Sequence, residues 1–418
     1  MPVAWELRVR YNRAVVLWDP TYKPCLRPLE AVPVSDADGA AVGVYDRSGL
    51  SDVSLTLSGP ALRVMGLMDG ANTCEDIRRK FVASYGRPLS VETLQGMLEH
   101  LERAHMLEGS GFEAYYQSRL REYRSAGLRD MPHAAALGIT GDSGDPFDEM
   151  LADAGPIALP STVLGVIAPH LDYPRGRPCY VAAYGILRER PTPDRVVILG
   201  TNHFGRSTSI VATANDFVTP LGRTRTDAAL LERLEVQCGG LRACELDHLR
   251  EHSIELQVIW LQHLFGPDSF EMVPVLCPDP CSQTGTVSSE ESGIDLRDFA
   301  LALGELIRDD GRDTLIVAGA DFSHVGPAFG DERPLDDVFL EEVRQRDKRA
   351  LDKLAVNDPV AFLRCVAEEE NVTRICSAGC VFALSAMLPQ ATGTVLRYHQ
   401  AVDQASQTCV TCAAVAFT

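Results

Sequence analysis

Short β-branched runs that alternate with amphipathic stretches, from Val163 to the C-terminus, constrain this chain more than any other feature. Val163 to Ala168, Val196 to Leu199, Met272 to Leu276 and Leu315 to Gly319 are apolar without a polar alternation, as strands buried on both faces are. Helical stretches follow near Cys179 to Arg188, near Leu296 to Ile307, after Leu335 and after Asp358. Strands of that kind joined by helical crossovers predict an α/β fold: a mainly parallel sheet flanked by helices, with ligand loops at the strand ends.

Polar islands sit where those loops should be. Ala168-Pro169-His170-Leu171-Asp172-Tyr173 and Thr201-Asn202-His203-Phe204-Gly205 follow two of the strands, and Asp321-Phe322-Ser323-His324 comes immediately after a third. Parallel strands open their loops at one sheet edge, so His170, His203, Asp321 and His324 are expected to converge on one cation or one substrate. Glu251-His252-Ser253-Ile254-Glu255 is different, because Ile254, Val258, Leu261 and Leu264 mark it as a helix start. His252 and Glu255, three apart, should share a helix face toward the same rim. Glu251 reads equally well as an acidic first turn that complements the helix dipole.

Cysteine adds the remaining donors. Cys376 precedes an apolar helix, where the dipole favours a thiolate as ligand or nucleophile. Cys380, one turn on, is close enough to compete for that role. Cys409 and Cys412 make a C-x-x-C pair, but in an apolar terminal strand their side chains point to opposite faces, which is a weak zinc signal.

The chain has 418 residues, 45% hydrophobic and 23% charged, enough for one large core and a small second one. A formal net charge of -19 argues against a nucleic-acid partner, which needs a basic surface. No apolar run approaches the roughly 18 residues of a membrane span, and Met1 to Arg10 lacks a signal-type hydrophobic region. A cytoplasmic location, with no membrane partner and most of the twelve cysteines reduced, is the expectation.

The first 110 residues form an accessory domain by this reading, 111–127 a linker, and 128–418 the α/β domain. Val53, Leu55 and Leu57 alternate with polar residues as in a half-buried strand, and Ser58-Gly59-Pro60 opens a helix through Met68. Thr73 and Asp76 have capping-box spacing for a second helix to about Ser84, and a third follows Ser90. Small helices with flanking strands predict a winged-helix-like domain. Gly138 to Pro146 carries turn chemistry.

Pro169-His170, Asn202-His203-Phe204-Gly205, Glu251-His252-Ser253-Ile254-Glu255, Asp321-Phe322-Ser323-His324 and Ile375-Cys376 fall in the order and at about the intervals seen in the Memo family. The C-terminal part resembles that family, whose bacterial and archaeal members are named AmmeMemoRadiSam system protein B. The resemblance implies a fold similar to class III extradiol dioxygenases. It also implies copper or iron bound through two histidines and a cysteine, here His170, His203 and Cys376. Asp321 and His324 would lie beside the metal and His252 would line the pocket. An AMMECR1-domain protein and a radical S-adenosylmethionine protein are the implied partners.

Two positions depart from the family pattern: Leu171-Asp172 replaces Ala-Gly, placing an extra carboxylate near the first ligand, and Ser377 replaces the glycine after the cysteine. Leu67 to Leu107 resembles the PqqD peptide-chaperone domain, which implies peptide binding by the N-terminal domain. Three functions follow: a metal-dependent oxidoreductase, a non-catalytic peptide- or partner-binding protein of a radical enzyme system, and a metal-free hydrolase with Cys376 as nucleophile. Two imidazoles and a thiolate suit copper, iron or zinc alike.

Overall fold

The Thr73 side chain accepts a hydrogen bond from the Asp76 amide, and the Asp76 carboxylate accepts one from the Thr73 amide, so the expected capping box starts the Cys74–Tyr85 helix. Gly86, in the left-handed region at φ 63°, ends it. In the computed structural model, which describes residues 19–36, 39–131, 146–152, 155, 162–280, 285–290 and 293–418, the chain divides into two compact units, Met1–Arg119 and Leu120–Thr418. The turn-rich stretch expected at 138–145 lies outside the described residues. No helix among the described residues is long and apolar enough to cross a membrane.

The first unit has a three-stranded antiparallel sheet, β1 (Glu30–Asp36), β2 (Gly39–Tyr45) and β3 (Leu55–Leu57), with the helices Gly59–Met65, Cys74–Tyr85 and Val91–Arg103. The first helix stops at Met65, three residues before the expected Met68. Leu94, Met97, Leu98 and Leu101 bury one face of the third helix against Ile77 and Phe81 of the second. A buried Arg27–Asp46 ion pair at 2.9 Å, with the guanidinium over the Phe112 ring, closes this core. Residues 111–127, expected to link two domains, lie almost wholly in one helix, Ser110–Ala126.

The second unit is built on a mixed sheet. Its strands are β4 (Leu128–Asp130), β5 (Gly165–Ala168), β6 (Arg195–Thr201), β7 (Val211–Ala212), β8 (Asp216–Thr219), β9 (Gly222–Thr226), β10 (Glu271–Cys277), β11 (Thr314–Gly319), β12 (Asp321–Val325), β13 (Gly393–Asp403) and β14 (Thr408–Phe417). The neighbours β5, β11, β6, β10 and β9 run parallel in that order, and β14 closes the β5 side antiparallel. The α/β class with a mostly parallel sheet flanked by helices is therefore present. Buried clusters cover both faces, one with the Leu296–Asp310 and Ala378–Met387 helices, the other with Tyr173–Gly185 and Glu255–Phe265.

Three local readings need correction. The helix expected near Cys179 begins at Tyr173, because the Asp172 side chain accepts from the Arg175 amide and Pro174 suits the first helical turn. Asp172 is thus a helix cap paired with Arg175, which occupies the extra carboxylate. Asp321 and His324 do not lie in a loop after β11: they are on β12, a strand of their own paired with β14.

Candidate metal centre

In the sheet, Gly319 of β11 pairs with Ala168 of β5, and Ala318 with Leu199 of β6, so the chain leaves three adjacent strands at one edge. His170 follows β5, His203 follows β6, and Asp321 lies two residues past the end of β11. Cys376 arrives from the other direction, one residue before the Ser377 N-cap of the Ala378–Met387 helix. The turn that carries Glu251 and His252 lies over the ends of β6 and β11. A Cβ at Gly200 or Gly319 would strike Ser253, which accounts for glycine at both places.

Donor atoms of His170, His203 and Cys376 all lie within 4.8 Å of one another. The Cys376 Sγ is 3.5 Å from His170 Nε2. The imidazoles are oriented from behind. His170 Nδ1 is 2.9 Å from the Gly319 carbonyl, which can only accept, so Nδ1 carries the hydrogen and Nε2 faces Cys376. His203 Nδ1 is 3.0 Å from the Glu251 carboxylate, which leaves its Nε2 as the other donor. His324 follows the same rule, its Nδ1 lying 3.0 Å and 3.1 Å from the Phe322 and Arg374 carbonyls. Asp321 accepts from the His170 amide at 3.1 Å and lies 3.5 Å from His170 Nε2.

Glu251 is the residue that sequence reasoning left undecided. Almost fully buried, it accepts from the His203 amide and the Ser253 amide, both at 2.9 Å, besides the His203 ring. It lies ahead of the Glu255–Phe265 helix, so it is no first-turn dipole partner. The only available hint was its position beside His252. His252 enters the site, its ring 5.5 Å from His170 and 5.1 Å from His203 between centroids. Glu255 does not share that face: it is buried toward Arg129, 3.4 Å away. His203, Glu251 and His252 make a second close group, with Glu251 bound as described.

Charge follows the geometry. Burial alone would raise the Cys376 thiol, but the His170 and His324 charges and hydrogen bonds from His170 and His203 hold it well below the usual thiol range. Burial alone would lower His170; Asp321 and Cys376 outweigh it and push His170 up to about 9. His203 is raised likewise, burial being overcome by Glu251 and Cys376. Burial would raise Glu251, yet His203 and His252 hold it well below the carboxylate range. Each of these groups favours its ionised form because of the charge on its neighbours. Exchanging the imidazole protons for a cation leaves two imidazole nitrogens and a thiolate, a set that fits a borderline or soft transition metal.

Cys380 is not in this group. It is buried one turn along, 3.5 Å from the Thr201 hydroxyl and against Cys277, whose thiol its hydrogen bond and burial raise. Ser377 accepts from Thr201 Oγ1 at 3.1 Å and from the Asp321 amide at 3.1 Å, and its hydroxyl lies 3.3 Å from Cys376 Sγ. It ties the cysteine to the ends of β6 and β11. Cys409 and Cys412 lie in separate cores, Cys409 with Val343 and Cys412 beside Cys179, as opposite faces of β14 require.

A profile of the Memo-like protein family matches residues 146–416. The chain belongs to the Memo family. A MEMO1 family protein of Methanopyrus kandleri is 30% identical over 264 residues, covering 62% of this chain and 82% of the relative. One from Thermus thermophilus is 28% identical over 336 residues, covering 79% and 94% respectively, and one from Thermotoga neapolitana is 33% identical over 224 residues, covering 50% and 73%. An uncharacterized Escherichia coli K12 crystal structure aligns with a TM-score of only 0.36 at 14% identity, over 62% of this chain and all of that one, too distant to compare folds.

Proposed function

We propose that this Memo protein is a metal-dependent redox enzyme in which His170, His203 and Cys376 hold copper or iron. The observation that carries this reading is the convergence of one donor atom each from His170, His203 and Cys376 within 4.8 Å, each imidazole oriented by an acceptor at Nδ1. Copper or iron bound there would supply one-electron chemistry. Around it, Glu251 and the Gly319 carbonyl fix the tautomers and Asp321 orients His170, while His252 and His324 would take or give a proton at Nε2. Likeness to class III extradiol dioxygenases belongs to this proposal, with a thiolate where those enzymes use a carboxylate. So do the AMMECR1-domain and radical S-adenosylmethionine partners, and peptide capture by a PqqD-like N-terminal unit.

The Cys376–His170 contact also favours a second reading, a metal-free hydrolase with Cys376 as nucleophile and histidine as base. Elemental mass spectrometry of protein purified without chelators or added metal separates the two. Near-stoichiometric copper or iron that disappears in Cys376→Ser supports the redox enzyme. Metal-free protein that turns over an ester substrate supports the hydrolase.

A further inference from the structure

The backbone just before Cys376 is held in a conformation that side chains avoid. Glu370, Asn371 and Arg374 have φ of 53°, 47° and 57°, the left-handed region that glycine tolerates best, and none of them is glycine. Backbone of this kind persists only where its surroundings over-determine it, and here those surroundings can be named. Asn371 grips Ile375 from both sides: its Oδ1 accepts from the Ile375 amide at 2.8 Å and its Nδ2 donates to the Ile375 carbonyl at 3.0 Å. The Arg374 amide donates back to the Asn371 carbonyl at 2.7 Å. Cys376 is the next residue.

Arg374 is bound to His324 in both directions. Its Nε donates to the His324 carbonyl at 3.0 Å, while its own carbonyl accepts from His324 Nδ1 at 3.1 Å. The His324 amide donates to Thr373 at 2.7 Å, and the far end of the guanidinium is anchored on Asp331, which also accepts from the Gly326 amide at 2.7 Å. His324 of β12 is bonded to two consecutive residues of the segment before the cysteine, Thr373 and Arg374, and Asn371 ties that segment to Ile375. We infer that Asn371 and Arg374 are positioning residues: they set the Cys376 sulfur and the His324 imidazole in fixed relation before any ion arrives. Neither touches the donor group itself. Their effect is preorganisation, because a thiolate on a relaxed segment would have to be ordered each time a cation bound. This inference rests on the metal reading proposed above.

The test uses the full chain and Co(II) alone, followed through the thiolate-to-cobalt charge-transfer absorption and through thermal stability. Asn371→Gly is the informative variant, since glycine accepts the left-handed φ while both bonds to Ile375 vanish. Arg374→Lys keeps the charge opposite Asp331 but lacks the fork that reaches the His324 carbonyl. Expected is roughly a tenfold weaker Co(II) affinity and a weakened or shifted charge-transfer band in both, with only a small drop in the thermal midpoint of Asn371→Gly, because relief of the left-handed φ offsets part of the two lost bonds. Asp331→Asn, which leaves the Arg374 Nε bond in place, should alter the band less than Arg374→Lys. Wild-type cobalt binding together with variants of the same affinity and spectrum would overturn the positioning role alone. Affinity that falls only in step with thermal stability would overturn it as well. Wild-type protein that takes up no cobalt would remove the metal reading and this inference with it.

Discussion

Replacing Glu251 by glutamine perturbs the centre while leaving every donor atom in place. In the native chain the Glu251 oxygens receive the His203 amide, the His203 ring and the Ser253 amide at 2.9 to 3.0 Å, and His252 Nδ1 lies 3.3 Å away. A glutamine offers one oxygen and one NH2, so a donor must face a donor at one of those points. One buried N–H left unmet costs about 1–3 kcal/mol. The loss of the carboxylate behind a ligating imidazole costs about 10–100-fold in metal affinity, or about 1.4–2.8 kcal/mol. The two effects are separable. Titration with Cu(II) or Fe(II) under competition should show the affinity loss, and thermal melting of the metal-free chain the stability loss. Equal affinity in Glu251→Gln and wild type would refute the claim that Glu251 orients His203. Restored affinity in Glu251→Asp would not be expected, because the shorter side chain cannot reach both His203 and Ser253.

Other outcomes follow from the same geometry. Cys376→Ser should reduce metal affinity by at least tenfold, whereas Cys380→Ser should lower the melting temperature and leave affinity unchanged; the reverse pattern would move the ligand role to Cys380. His170 is raised in the folded, metal-free chain from 6.5 to about 9, burial being outweighed by Asp321 and Cys376. Its contribution, up to about 3 kcal/mol, is complete below pH ~6.5 and lost as pH rises through ~9. Urea denaturation of metal-free His170→Ala across that window should show a smaller loss than wild type, His203 still contributing its own; an unchanged slope would contradict the assignment. A chain beginning at Leu120 should melt higher than one beginning at Arg129. The shorter one loses the Arg124–Glu245 ion pair at 2.7 Å and the Tyr123 carbonyl that accepts from Asn215 at 2.8 Å, and equal melting temperatures would show those contacts to be idle.

The parts of the structure that were legible in sequence are those in which local chemistry and long-range packing agree. Thr73 and Asp76 form a helix start through their own backbone and needed no tertiary context. The apolar runs at Arg195–Thr201 and Glu271–Cys277 are strands because nothing but a two-sided core accepts them, and the histidines behind such strands had to emerge at one edge. What escaped was decided by partners distant in sequence. Tyr173 to Pro178 looks like a loop because of two prolines and a glycine, yet Asp172 caps it and Tyr180 and Tyr184 bury it against Trp260. Asp321–Val325 pairs with β14, almost ninety residues on, so the polar island that looked like a loop is a strand. Glu251 could not be told from a helix-dipole carboxylate until His203, 48 positions away, was found against it. The left-handed residues before Cys376 left no mark in composition, since none is glycine.

The central claim is that His170, His203 and Cys376 together hold a transition metal. Elemental mass spectrometry of wild type, His170→Ala, His203→Ala and Cys376→Ser, each checked by circular dichroism, tests it most directly. Copper or iron near one equivalent in wild type and under about a tenth of that in all three folded variants is the predicted result. Equal metal content in all four proteins, or none in wild type after reconstitution with Cu(I), Cu(II) and Fe(II), would contradict it.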